Sequence, residues 1–198
     1  RHLYLIDVLT GKITNPITKG EYMVRYVDRI DEEKRQVWFR ASGRNRRQDP
    51  YLMHYYRVNF DGTGLTALTK GNGWHKIVYS PDRKFIIDSY SRVDLPPVHE
   101  LRWVSDGKLV CKLERADVSE LKAEGWKPPE VFKAKGRDGK TDIWGIVCRP
   151  TDFDPKKKYP VLESMYAGPH DSYVPKQFSS GRPFSTWTDM GFVVVKMD

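Results

Sequence analysis

Residues whose types suit chemistry fall in four places along this 198-residue chain. His170-Asp171-Ser172 spells a base, a carboxylate and a nucleophile. A hydrolytic triad works head to tail across hydrogen bonds, and neighbours in one tight loop cannot set three side chains that way. Asp31-Glu32-Glu33 is an acidic run between two strand-like stretches, where a solvated turn is the expected setting. Cys111 and Cys148 lie in apolar surroundings with no CxxC spacing and no adjacent His to complete a zinc set. Both are expected as buried free thiols, and no metal or cofactor is expected. The fourth place is the loop-like run Tyr166-Ala167-Gly168-Pro169, which directly follows an apolar stretch. A G-x-S-x-G elbow, which would expose a serine between a strand and a helix, is absent from these residues.

The elements that must hold these residues differ between the two halves of the chain. In the first half a unit repeats: His2 to Gly20 (HLYLIDVLTGKITNPITKG) and His54 to Gly71 (HYYRVNFDGTGLTALTKG) share an alternating strand, a Gly turn, a second strand and a Thr-Lys-Gly ending. His99 to Glu114 echoes the pattern through the Asp106-Gly107 turn. Glycine is used there because a hairpin turn needs a positive φ. Gln36 to Ala41 and Lys84 to Tyr90 read as further strands, giving about four strands per unit. Four strands at a period of roughly 45 to 50 residues is the pattern of a β-propeller blade, and about two and a half units are present. A β-sandwich would also explain the strands, but not the recurring Thr-Lys-Gly.

Around Ala116 to Pro129 the pattern changes. Asp117 is placed to cap a short helix with Val118 and Leu121 on its apolar side, and Gly125 with Pro128-Pro129 ends it. The segment reads as a linker. Beyond it, Glu130 to Lys135 and Thr141 to Cys148 form a hairpin about Gly136-Arg137-Asp138-Gly139. A strand over Val161 to Tyr166, a partly helical stretch to Met190, and the apolar strand Phe192 to Met197 follow. The last suits a strand buried on both faces.

This order matches the opening of an α/β-hydrolase sheet, and one string makes the match specific. Lys156-Lys157-Lys158-Tyr159-Pro160-Val161-Leu162 followed by Tyr166-Ala167-Gly168-Pro169 resembles the prolyl oligopeptidase family of serine peptidases, in its dipeptidyl peptidase IV branch. The segment Gly71 to Leu101, with Trp74, Tyr79-Ser80-Pro81-Asp82 and Leu95-Pro96-Pro97, also resembles the last propeller blade of that branch. The resemblance implies a partial β-propeller made of C-terminal blades over 1–115, a linker over 116–129, and the start of an α/β-hydrolase catalytic domain over 130–198. It also implies a catalytic role for Tyr166, since the tyrosine of that run donates its phenolic O–H to the tetrahedral oxyanion. The Ser, Asp and His of the triad are expected beyond Asp198, so these residues alone are expected to be inactive. Ala167, His170 and Asp171 are expected to line the same mouth without a catalytic role. The branch also binds the substrate's amino terminus with a helix-borne glutamate pair, and no such pair is visible. Dipeptidyl, oligopeptidase and acylaminoacyl specificities therefore stay open.

Peptide substrates are the partners this implies, with a homodimer as a possibility for the full-length form. A different class of reading is a propeller-based protein-binding module whose hydrolase-like domain is non-catalytic. The formal charge of +8 is spread over Arg25, Arg44, Lys84, Arg102, Lys133 and Lys158 with no basic stripe, which argues against nucleic acid. No apolar run reaches the roughly 20 residues of a membrane span. The sequence begins at Arg1 rather than Met and no charged start with an apolar stretch follows it, so any targeting signal is expected upstream; the compartment stays open, with a periplasmic or extracellular one expected.

Overall fold

The computed structural model describes residues 1–166, 168 and 172–197. By its internal contacts the chain divides into two compact units, Arg1–Tyr90 with Val98–Arg115, and Ser91–Pro97 with the residues from Ala116 onward. No helix among the described residues is long and apolar enough to cross a membrane.

The first unit is built from antiparallel hairpins. Strands β1 (Tyr4–Ile6) and β2 (Ile13–Pro16) pair with each other. Strands β3 (Met23–Asp31), β4 (Gln36–Ser42), β5 (Met53–Asn59) and β6 (Thr66–Ala67) form a four-stranded meander in that order. Strands β7 (Trp74–Tyr79), β8 (Phe85–Arg92), β9 (Leu95–Trp103) and β10 (Leu109–Arg115) form a second. The three repeated segments land on β1–β2, β5–β6 and β9–β10. The repeated segment is therefore the closing hairpin of each four-stranded sheet in this unit, and its first copy stands as a two-stranded sheet.

The strand alternation of β4 and β5 explains how two layers are held at once. Val37, Phe39, Ala41, Tyr56 and Val58 form one cluster, against which Leu3 and Leu5 of the first hairpin pack. Trp38 and Tyr55, on the opposite face, form another with Leu68, Ile86 and Val104. Phe39 has no exposed surface, a burial that contributes roughly 1.5–3 kcal/mol.

The Thr-Lys-Gly ending has a specific job. Thr18 Oγ1 accepts a hydrogen bond from the Leu3 backbone N–H at 2.8 Å and lies 3.1 Å from His2 Nδ1. Thr69 Oγ1 repeats this with the Tyr55 N–H at 3.1 Å and His54 Nδ1 at 3.3 Å. The threonine thus satisfies the first strand of its own hairpin and the histidine that opens it.

The second unit holds a mixed sheet. Strands β11 (Glu130–Lys135), β12 (Asp142–Cys148), β13 (Val161–Glu163) and β14 (Val193–Met197) lie in the order β11-β12-β14-β13. β13 and β14 are parallel, and β11–β12 and β12–β14 are antiparallel. Helix α1 (Ser119–Ala123) precedes this sheet, and α2 (Ser185–Asp189) leads into β14. Ile146, Cys148, Val174, Val194 and Val93 form its core.

Three local expectations change. Cys148 is buried, and burial pushes its thiol up to about 11. Cys111 is exposed, because it lies on β10, the outermost strand of its sheet, whose seven residues are all exposed. Asp117 is not the cap of α1: Val118 holds that position, and Asp117 accepts from the Ser119 N–H at 2.9 Å one residue further out. The strand expected over Val161 to Tyr166 ends at Glu163, so Tyr166 lies in the loop beyond it.

Candidate active site

The strand β13 is brief because its pairing is brief. Val161, Leu162 and Glu163 register with Val193, Val194 and Val195 of β14, and Ser164 N–H adds a last bond to Val195 O at 2.8 Å. Met165 and Tyr166 then leave the ladder. Two parallel strands thus end side by side, with Tyr166 just past the carboxyl end of one. In open α/β sheets that end is where ligands gather, because loops leaving it are free to vary while the strands fix their origin.

Tyr166 is 52% exposed and belongs to none of the core clusters. Its ring packs on Tyr173 with centroids 3.9 Å apart and planes 43° apart. The side chain is therefore supported on one face by another aromatic while remaining accessible, which suits a donor more than a core aromatic. Ala167, Pro169, His170 and Asp171 lie outside the described residues. Ser172 is described, but the His170-Asp171-Ser172 run as a whole is not.

Glu32 and Glu33 are exposed in the turn between β3 and β4. Asp31 beside them is engaged with Arg29 at 3.0 Å and accepts the Lys34 N–H at 3.0 Å. A solvated turn is what the structure provides there.

The densest group of titratable side chains in the first unit is one that sequence reasoning missed. His75, on β7, sets Nδ1 at 2.7 Å from Asp88 Oδ1 and Nε2 at 2.7 Å from Gly71 O. Asp88 Oδ2 lies 3.3 Å from Arg102 Nε, and Arg102 also pairs with Glu100 and donates to Gly107 O at 2.9 Å. His54 stacks on His75 with ring centroids 4.6 Å apart. All five side chains are buried. Burial, together with the charge of His75, lowers the His54 imidazole to about 3. Every member has a protein partner, so the arrangement ties β7, β8 and β9 together rather than waiting for a ligand. Its sequence signal is faint: five residues on four strands, of which only His54, at the start of a repeated hairpin, falls in a recurring pattern.

Comparison with known proteins agrees with this architecture. Residues 1–97, just under half of the chain, match the family model described as the dipeptidyl peptidase IV (DPP IV) N-terminal region. Dipeptidyl peptidase 8 from Homo sapiens is 30% identical over 195 residues, covering 92% of this chain and 21% of its own length. Dipeptidyl-aminopeptidase B from Aspergillus niger is 27% identical over 192 residues, covering 92% of this chain and 20% of its own. The crystal structure of Porphyromonas gingivalis dipeptidyl peptidase 4 superposes with a TM-score of 0.76 at 24% identity, covering 100% of this chain and 27% of that one. The chain spans about a fifth of the length of the relatives it matches. With blades of a β-propeller in its first part and this likeness running along nearly all of it, the chain is similar in sequence and fold to dipeptidyl peptidases of the dipeptidyl peptidase IV type.

Proposed function

We propose that this chain is part of a serine peptidase, similar to dipeptidyl peptidase IV, that hydrolyses short peptides in its full-length form. In this reading 1–115 supply propeller blades, 116–129 a linker, and the residues from 130 the opening of an α/β-hydrolase catalytic domain. The observation that carries it is Tyr166: an accessible phenol, braced by Tyr173, just past the carboxyl end of the parallel strand β13.

Chemically, attack on a peptide carbonyl places negative charge on its oxygen. A neutral O–H held on a short loop after a fixed strand stabilises that charge without needing a proton transfer, and one such donor is worth roughly 3 kcal/mol of transition-state stabilisation. The serine that attacks and the His–Asp pair that activates it are expected outside residues 1–198, which contain no G-x-S-x-G elbow.

The test is release of a fluorophore from dipeptide conjugates with a free amino terminus. The full-length protein is expected to turn them over, and residues 1–198 alone are expected not to. Turnover by these residues alone would overturn the assignment of the nucleophile. A full-length protein inert toward dipeptide, longer and N-acylated peptides would favour the second reading, a propeller-based binding module with a non-catalytic hydrolase-like domain.

A further inference from the structure

A cavity of about 740 Å³ opens in the first unit, between the β3–β6 and β7–β10 sheets. It lies at the end of these sheets that carries the β3–β4, β7–β8 and β9–β10 turns, with Trp38 and Trp103 in its wall. Its size is within the range of small-molecule sites.

The lining is unbalanced in charge. Five cations, Arg29, Lys34, Arg57, Arg83 and Lys84, face two acids, Asp31 and Asp82. The acids are already engaged, Asp31 with Arg29 at 3.0 Å and Asp82 with Lys84 at 3.6 Å. Lys34, Arg57 and Arg83 are left with no acid among the described residues of the wall. Arg57 is the telling one. It is half-buried, and one terminal nitrogen is fixed by donation to Ser105 O at 2.9 Å. Its Nε is buried without a partner among the described residues. A cation that is partly withdrawn from water and held in one orientation without a counter-ion is costly to the fold. The cost falls when an anion enters. A guanidinium fixed in this way keeps donors on its terminal nitrogens beyond the one given to Ser105 O, and these suit a carboxylate or phosphate oxygen.

The geometry points to this cavity as a binding site for a small, multiply charged anion, carrying phosphate or carboxylate groups. Arg57 is the fixed anchor, and Lys34 and Arg83, both exposed and on turns, close on the ligand from either side. Its lining shares no residue with the Tyr166 loop, and the proposal is independent of the peptidase reading.

The experiment is calorimetric titration of the full chain with tripolyphosphate and, separately, with citrate, at about 50 mM salt. A single saturable site for at least one anion is expected, weakened by Arg57→Gln about tenfold and weakened further at about 200 mM salt. The arm that saturates tells phosphate from carboxylate chemistry. Lys34→Gln, in an exposed turn, is expected to weaken binding about threefold with no change in melting temperature. It decides the matter if Arg57→Gln proves unstable. Failure of both anions to saturate would overturn the proposal. So would parental affinity in Lys34→Gln together with either parental affinity in a folded Arg57→Gln or failure of that variant to fold.

Discussion

His54 shows how a buried residue reads out pH. Its ring is enclosed by Thr69, Gln48 and Asn45 and lies against His75. Its imidazole is lowered to about 3, chiefly by burial, while the unfolded chain takes up a proton near pH 6.5. Between those values the unfolded state holds more protons, so stability falls as pH is lowered through that window. The expected slope from this residue is at most about 1.4 kcal/mol per pH unit. Urea unfolding of the chain at pH 7 and pH 4.5 measures it, and His54→Asn is expected to flatten the difference. An unchanged pH dependence in that variant would assign the acid sensitivity elsewhere. At this scale the sequence singles out Tyr166 as a candidate, because its neighbours form a contiguous run. It did not announce His75, Asp88 and Arg102, whose meeting depends on the pairing of β7, β8 and β9.

Among the elements, the closing hairpins were legible and the opening strands were not. The hairpins show Gly turns and a repeated Thr-Lys-Gly, each with a local physical cause. β3 has no such mark. Its pairing with β4 slips between Val24 and Tyr26 and again between Val27 and Arg29, so its apolar residues do not alternate cleanly. β7 is short and carries a buried histidine where a sequence reading looks for an aliphatic. The turns also make a sharp prediction. Gly107, at φ +67°, sits so close to the neighbouring sheet that a Cβ would lie 2.2 Å from Ala67 O and 2.9 Å from Leu68 Cα. Gly107→Ala must therefore strain φ and push backbone against backbone. It is expected to destabilise the first unit by at least about 2 kcal/mol, read as a lowered thermal midpoint. Gly11, at φ +66° with nothing within 4 Å, is the control, where the same substitution is expected to cost about 1 kcal/mol for φ alone.

For the whole molecule, the repeat period and the four strands per unit pointed to propeller blades, and the change of pattern after Arg115 pointed to a second kind of sheet. The sheet order β11-β12-β14-β13 lay beyond the sequence, since nothing in a run of apolar residues says which strand it will pair with. That order matters to the proposed function because it sets β13 parallel to β14 and leaves Tyr166 just past the end of β13. The most direct measurement is steady-state hydrolysis of a dipeptide conjugate by full-length protein carrying Tyr166→Phe. If the phenol donates to the oxyanion, kcat falls roughly 10²–10³-fold while KM hardly moves, because the lost bond exists only in the transition state. An unchanged kcat, with the variant folded as the parent, would contradict the account and leave Tyr166 as a packing residue on Tyr173.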